Sequence, residues 1–442
     1  MKRTNRKNSW KKLDNAAKIF PALVSSEDTE VFRISCTLYE DVEPELLQKA
    51  LDFTMEEFPS FSETISRGMF WYYLEDSGKK PAVHEETSTP LQPLYTKNTH
   101  GLLIDVSYYK RRINFEVFHA ICDGTGAVMF LRTMVAHYLC LRHGLPMMKM
   151  DLGIDLTVRE KEADSFAQHY EKEKNKGNGL GLNEFLGDDK KRRIYRFNET
   201  KTPDFRQLVT EGRVSVQSLK KAAAAYRTTL TVFLTSVLIA AIYSTMEPRD
   251  RKKAVSVAVP VNLRNYFESN TARNFFGLIH VIYDFGKHGA EFDAIIQKVS
   301  AVFSRELTKE NMEKKISSQV GLEQNFGIRM VPLFIKDIAM GISQRVAMKR
   351  RTICLSNVGK IEMPTELAAY AEYFEVFNSS PSRQICMCSY GDNMVIAFSG
   401  VFAEHDVERA FFRMIAKFAA DAGDETGVTV STNYSAKEFD ER

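Results

Sequence analysis

No two of the six cysteines stand in Cys-x-x-Cys spacing, and the closest pair, Cys386 and Cys388, would point both thiols to one face of a strand. That excludes the usual zinc tetrahedron and leaves no disulfide framework, so reduced thiols in a cytoplasmic protein are expected. Charge of one sign is lacking too. Sixty Lys and Arg against 57 Asp and Glu leave a net charge of +3, which gives the molecule as a whole no pull toward nucleic acid. No apolar stretch follows the basic opening MKRTNRKNSWKK, so a secretory leader is not expected there. A solvated start is the preferred reading, with a transient membrane-surface contact as the alternative. One uncharged run of nineteen residues exists, at 228–246. It has the length to cross a bilayer. Seven of its residues are Ser or Thr, however, and no aromatic belt frames it. It reads as a helix buried in a large core, and no transmembrane segment is expected.

What is present is the material of a sizeable globular protein: 442 residues, 44% hydrophobic and 26% charged, enough for two or three domains. Strand-like alternation marks 31–39, 70–75, 103–110 and 112–119, and helical spacing marks 44–58, with Pro44 suited to a first turn. Composition shifts at 158–206, rich in Lys, Glu, Asp, Asn and Gly, and its basic end Lys190-Lys191-Arg192-Arg193 reads as a solvated linker face. Further strands are expected at 253–264, 273–285, 352–361, 374–380, 385–402 and 428–434. Helices are expected over much of 290–345 and at 408–423, with Met312, Met330, Met340 and Met348 as core filler. The expected class is α/β (α+β). A first subdomain would span 1–160, a crossover 161–208 and a second subdomain 209–442, with a cleft between the two.

The motif with the most chemistry is His119-Ala120-Ile121-Cys122-Asp123-Gly124, or His-x-x-x-Asp-Gly. Ile113, Phe115, Val117 and His119 alternate, so a strand would end on an imidazole. Val128, Leu131, Val135, Tyr138 and Leu139 then fall near one face of a helix. A histidine at such a junction can reach a cavity while rigid elements hold it, and can take a proton near neutral pH. The bland alternative is a satisfied core histidine. As a metal site the motif supplies two ligands and marks no third, so no metal is expected. Cys122 beside it could be a nucleophile, but Asp123 would raise its thiol pKa, and packing is the better reading.

Three further motifs follow in order: Val259-Pro260-Val261-Asn262-Leu263-Arg264, then Arg273-Asn274-Phe275-Phe276-Gly277, then Ser356-Asn357-Val358-Gly359-Lys360-Ile361. With the histidine motif and the opening Leu13–Phe20, the chain resembles the coenzyme A-dependent acyltransferase superfamily: chloramphenicol acetyltransferase, the BAHD enzymes, condensation domains and, among these, the bacterial alcohol acetyltransferase-like branch. The resemblance spans nearly the whole chain. It is specific for the superfamily and much less so for the substrate.

The resemblance implies two chloramphenicol-acetyltransferase-like subdomains with a tunnel at their interface and His119 near its middle. His119 would be the general base that takes the proton of an alcohol or amine acceptor as it attacks an acyl-CoA thioester. Acyl-CoA would be a co-substrate, with no permanently bound cofactor. Asp123 would turn away and pair with Arg264, bracing the loop, while Gly124 would permit the turn into the helix. Ser356 or Asn357 would face the oxyanion. Lys349, Arg350 and Arg351 are candidates for the phosphates of coenzyme A, with a solvated loop or a favourable helix C-terminus as the alternative. Phe118 stands where condensation domains usually have a first histidine, and Ser356–Gly359 replaces the Asp-Phe-Gly-Trp-Gly of plant BAHD enzymes. The alternatives are an enzyme using the thioester of an acyl carrier protein, and a silent binding module of the same fold.

Overall fold

The computed structural model describes residues 10–97, 100–147, 158–168, 192–324, 326–423 and 427–433. Seven of its described strands precede residue 120: β1 (Lys11–Lys12), β2 (Val31–Leu38), β3 (Glu63–Arg67), β4 (Tyr72–Asp76), β5 (Val83–Glu85), β6 (Ile104–Tyr109) and β7 (Arg112–Phe118). Eight follow: β8 (Leu208–Ser215), β9 (Val255–Asn262), β10 (Phe276–Tyr283), β11 (Ile353–Lys360), β12 (Ala371–Asn378), β13 (Arg383–Tyr390), β14 (Asn393–Gly400) and β15 (Thr429–Thr432). The main helices are α1 (Phe20–Leu23), α2 (Pro44–Glu57), α3 (Gly124–His143), α4 (Val216–Ala225), α5 (Leu230–Thr245), α6 (Phe292–Glu306), α7 (Lys309–Gln324), α8 (Leu333–Met348) and α9 (Asp406–Asp421). The class is mixed α/β, as the sequence implied.

The strands make three sheets. A small one runs β1-β4-β3, a five-stranded one β12-β2-β7-β6-β5, and a seven-stranded one β10-β9-β11-β13-β14-β8-β15. All eight residues of β2 are buried, because the strand lies inside the five-stranded sheet with both faces covered. The β6–β7 hairpin turns without glycine: Lys110 adopts the left-handed conformation (φ +50°) that glycine usually supplies.

Two apolar cores back this arrangement. The first gathers β2, β6, β7, α2 and α3, and the second gathers the seven-stranded sheet with α5, α6 and α9. The division drawn at residue 209 is crossed by β12, which pairs antiparallel with β2 from Ala371↔Leu38 to Asn378↔Phe32. The late chain therefore completes the early sheet. An edge strand can join from any distance in sequence, and its own alternation does not name its partner.

The uncharged run at 228–246 is α5, capped by Thr229, whose hydroxyl accepts from the Val232 N–H. Its hydroxyl residues do not demand water. Thr235 and Ser236 donate to the carbonyls of Thr231 and Val232 one turn back, at 2.7 and 2.8 Å. α4 and α5 bend by 81° against each other, with Arg227 left-handed at the break (φ +53°). Among the described residues no single helix is long and apolar enough to cross a membrane. Lys190 and Lys191 lie outside the described residues, whereas Arg192 and Arg193 are exposed.

Candidate active site

β7 ends at Phe118 and α3 begins at Gly124, so His119 sits on the short turn between a buried strand and a buried helix. Asp123 is the N-cap of α3, and its Oδ1 accepts from the Gly126 N–H at 3.0 Å. The same carboxylate meets Arg264: Nη1 donates to Oδ2 at 2.8 Å and Nη2 to Oδ1 at 3.3 Å, with both side chains 8% exposed. Oδ2 also accepts the Phe275 N–H at 2.9 Å. Arg264 spends its remaining donors on the carbonyls of Thr271, Arg273 and Phe275 and on Asn262 Oδ1. Asp123 is thus consumed by structure, and no hydrogen bond joins its carboxylate to the imidazole.

The second half reaches this turn at several points. Asn274 Nδ2 donates to the His119 carbonyl at 3.0 Å, and Asn262 Nδ2 donates to Thr125 Oγ1 at 3.1 Å. Val358 presses on Gly124 from β11: a Cβ on that glycine would lie 3.2 Å from Val358 Cγ2. Gly124 has no left-handed backbone, so close approach rather than turn geometry calls for glycine. Gly126 is stricter, since a Cβ there would fall 1.8 Å from the Ala272 carbonyl oxygen. The sequence reading passed over Gly126, although the Asp-Gly-Thr-Gly spacing carried the signal.

The sheet itself explains why α3 fits there. β9 and β11 pair in parallel only at Ile353↔Val257 and Cys354↔Ala258. Beyond that the strands are unpaired with one another, and Asn262 at the end of β9 and Val358 near the end of β11 both touch the N-terminus of α3. A bulge between Asn357 and Gly359 carries Val358 out of the β11–β13 register. Gly359 takes φ +95°, and its N–H donates to Asn357 Oδ1 at 2.9 Å. Asn357 Nδ2 in turn donates to Thr231 Oγ1 at 3.0 Å. The Asn357 amide is therefore largely committed to shape, while the half-buried Ser356 beside it makes no side-chain hydrogen bond among the described residues.

The His119 ring lies in an aromatic box. Phe20 stacks on it at 4.4 Å between centroids, and Phe32 and Phe276 tilt against it at 4.9 and 5.9 Å. Phe20 opens α1, just after the Leu13–Ile19 stretch, so the chain's opening packs on the histidine. Burial holds the imidazole pKa below its usual 6.5, against weaker opposing pulls from its own carbonyl, the Asp123 charge and Asn274. Nδ1 is buried and lacks a full hydrogen bond, and so does Asn274 Oδ1. The amide oxygen still favours the protonated ring. Nε2 is neither enclosed nor bonded, so a neutral ring presents a free nitrogen.

Behind the turn lies a pair of acids that the sequence did not single out. The His119 N–H donates to the Glu30 carbonyl at 2.9 Å, and Glu30 is left-handed (φ +52°). Burial and then the neighbouring Asp28 push the Glu30 carboxyl well up, and burial pushes Asp28 to about 6 despite its 2.6 Å bond from Ser379 Oγ. The charge of Arg351 lowers both, which brings one member of the Lys349-Arg350-Arg351 run near the site. The run follows the end of α8, with Lys349 exposed and both arginines half-buried. All six cysteines are free and buried. Burial first and Asp123 second raise the Cys122 thiol well above its usual value, which suits packing rather than attack.

Residues 207–388 match the family model of alcohol acetyltransferases. The fold is shared with solved acetyltransferases and condensation domains. The trichothecene 15-O-acetyltransferase of Fusarium sporotrichioides superposes over 93% of this chain and 94% of its own, with 12% identity and a TM-score of 0.61. TRI101 of F. graminearum, solved with coenzyme A and T-2 mycotoxin, covers 96% and 99% at 10% identity and a TM-score of 0.61. The first condensation domain of the calcium-dependent antibiotic synthetase covers 95% and 98% at 13% identity and 0.63. No curated protein sequence matches the chain. The family match includes Arg264, Asn274 and Ser356–Ile361 and does not extend to the His119 turn.

Proposed function

We propose that this protein moves an acyl group from an acyl-CoA thioester to an alcohol or amine, with His119 as the general base. The observation that carries the reading is an imidazole boxed by Phe20, Phe32 and Phe276, with Nε2 unbonded and its turn fixed by Asp123 and Arg264. A depressed pKa keeps the ring unprotonated at neutral pH, the state a base needs.

In this reading the acceptor's O–H or N–H gives its proton to Nε2 as the oxygen or nitrogen bonds to the thioester carbon. The carbonyl π electrons move to oxygen, and the resulting oxyanion needs a donor. Ser356 is the better candidate, because the Asn357 amide is tied to Thr231 and Gly359. The oxyanion then collapses, the C–S bond breaks, and the imidazolium returns its proton to the leaving thiolate. Lys349, Arg350 and Arg351 are assigned to the coenzyme's phosphates.

The test is thiol release from acetyl-CoA and longer acyl-CoAs, with a panel of alcohols and amines, by purified protein. His119→Ala should lower the rate by about 10²–10⁴-fold. Unchanged release in that variant would remove His119 from the role. Likeness to a condensation domain favours a second reading, a carrier-protein thioester as donor. Preference for a loaded carrier over free acyl-CoA would select it.

A further inference from the structure

α8 exposes an apolar stripe and buries a lysine. Phe334, Ile338 and Ile342 are 61%, 62% and 56% exposed, and Ile335 and Val346 are exposed beside them. Steps of four residues keep this stripe along one side of the helix. On the opposite side Lys336 is buried, donates to the Phe70 carbonyl at 3.0 Å and lies 3.4 Å from the Trp71 ring centroid. Asp337 accepts from Arg67 and from the Tyr72 hydroxyl, both at 2.9 Å. A surface helix of a globular protein normally does the reverse. Met69, whose carbonyl accepts the Leu333 N–H, extends the apolar surface at 70% exposure. Met330, expected in the core from sequence, is 57% exposed at the same end.

The charges along this segment are mostly of one sign. From 327 to 351 the chain has Arg329, Lys336, Arg345 and Lys349–Arg351 but a single acid, Asp337, and that acid is already paired with Arg67. Arg329 and Arg345 are exposed and make no ion pair among the described residues. At about 1.5 Å per residue α8 is about 24 Å long, shorter than the hydrocarbon core of a bilayer. Its inward lysine and aspartate fix it flat against the protein.

We propose that α8 docks the protein on an anionic lipid bilayer. The Phe334–Val346 stripe enters the headgroup–acyl boundary, and Arg329 and Arg345 meet lipid phosphates. A second copy of the chain fits less well, since a two-fold contact would set this acid-poor, cationic face against itself. Docking does not depend on the acyl-transfer reading. It does place the surface close to the candidate base, because α8 packs on α1, and Phe20 of α1 stacks on His119.

The experiment is sedimentation of the full chain with vesicles of phosphatidylcholine alone, or with about one third phosphatidylglycerol added to supply the negative surface. The protein should pellet with the anionic vesicles, much less with the neutral ones, and less as salt rises. The triple variant Phe334→Ser, Ile338→Ser, Ile342→Ser should lower partitioning about 100-fold, since each lost apolar contact weakens insertion. These side chains face solvent, so the variant's circular dichroism should match the parent. Arg329→Glu with Arg345→Glu should abolish the preference for anionic vesicles. Equal pelleting of parent and triple variant overturns the proposal, as does no binding to anionic vesicles. A concentration-dependent dimer lost in the triple variant, without vesicle binding, overturns it in favour of self-association.

Discussion

His119 and Asp123 stand four residues apart on one turn and live under opposite rules. Both oxygens of Asp123 are engaged, by Gly126, Phe275 and Arg264. The imidazole touches mainly rings, and its Nδ1 lacks a full hydrogen bond. One charge is fixed by donors, and burial holds the pKa of the other ionisable group below its usual 6.5. In the proposed reading rigidity and reactivity are thus separated: the aspartate holds the turn, and the histidine keeps a free lone pair. The Asp123–Arg264 ion pair that the resemblance implies is present, and the carboxylate makes no hydrogen bond to the imidazole.

The largest effect should come from breaking the brace. Arg264→Ala leaves a carboxylate 6% exposed without its counter-ion, and stranding one partner of a buried pair costs about 3–5 kcal/mol. Chemical denaturation should show that loss, together with a drop in acyl transfer. A variant as stable as the parent would mean that Asp123 relaxes to water, and the contrast with His119 would fail. Replacing both partners by apolar residues of similar size should cost less, because no charge is then stranded.

The second test asks whether the ring stays neutral. A base must be unprotonated, so kcat/KM should rise about tenfold per pH unit below the His119 pKa and level off above it. Burial puts that pKa below 6.5, so the plateau should begin on the acid side of an ordinary histidine. Protonation is disfavoured by desolvation, whereas the Asp123 charge and Asn274 favour it. An acid limb centred above 6.5 would mean that Asp123 governs the ring, and the two residues would no longer be separable.

Much of this was legible in the residues. Alternation found β2, β7 and β9, and the Pro44 start found α2. Spaced motifs single out His119, Asp123 and Arg264, and of these the Asp123–Arg264 ion pair is there at 2.8 Å. What escaped shares one cause: contacts between segments far apart in sequence. β12 pairs with a strand more than three hundred residues earlier. Gly126 is a glycine because Ala272 stands over it. Asn274 seemed part of a strand, yet its amide holds the His119 carbonyl. The exposed stripe on α8 escaped for a related reason. Helical spacing shows that one face is apolar and does not show which face meets the protein, so Met330 was expected inside.

Asn274 supplies the finest test, because it touches both sides of the comparison. Its Nδ2 donates to the His119 carbonyl, fixing the turn as Asp123 does, while its Oδ1 pulls weakly on the ring. Asn274→Ala removes one buried hydrogen bond, worth about 1 kcal/mol, and also deletes an oxygen that lacked a partner. Stability should fall by no more than that, and kcat by about fivefold, the rate equivalent of 1 kcal/mol. The pH profile carries the sharper sign. Asn274 favours the protonated ring, so its removal should move the acid limb of kcat/KM to lower pH. A purely structural asparagine would lower the rate and leave the limb in place. A shift to higher pH would mean that the imidazole had turned toward Asp123, and that Asn274 had been keeping base and brace apart.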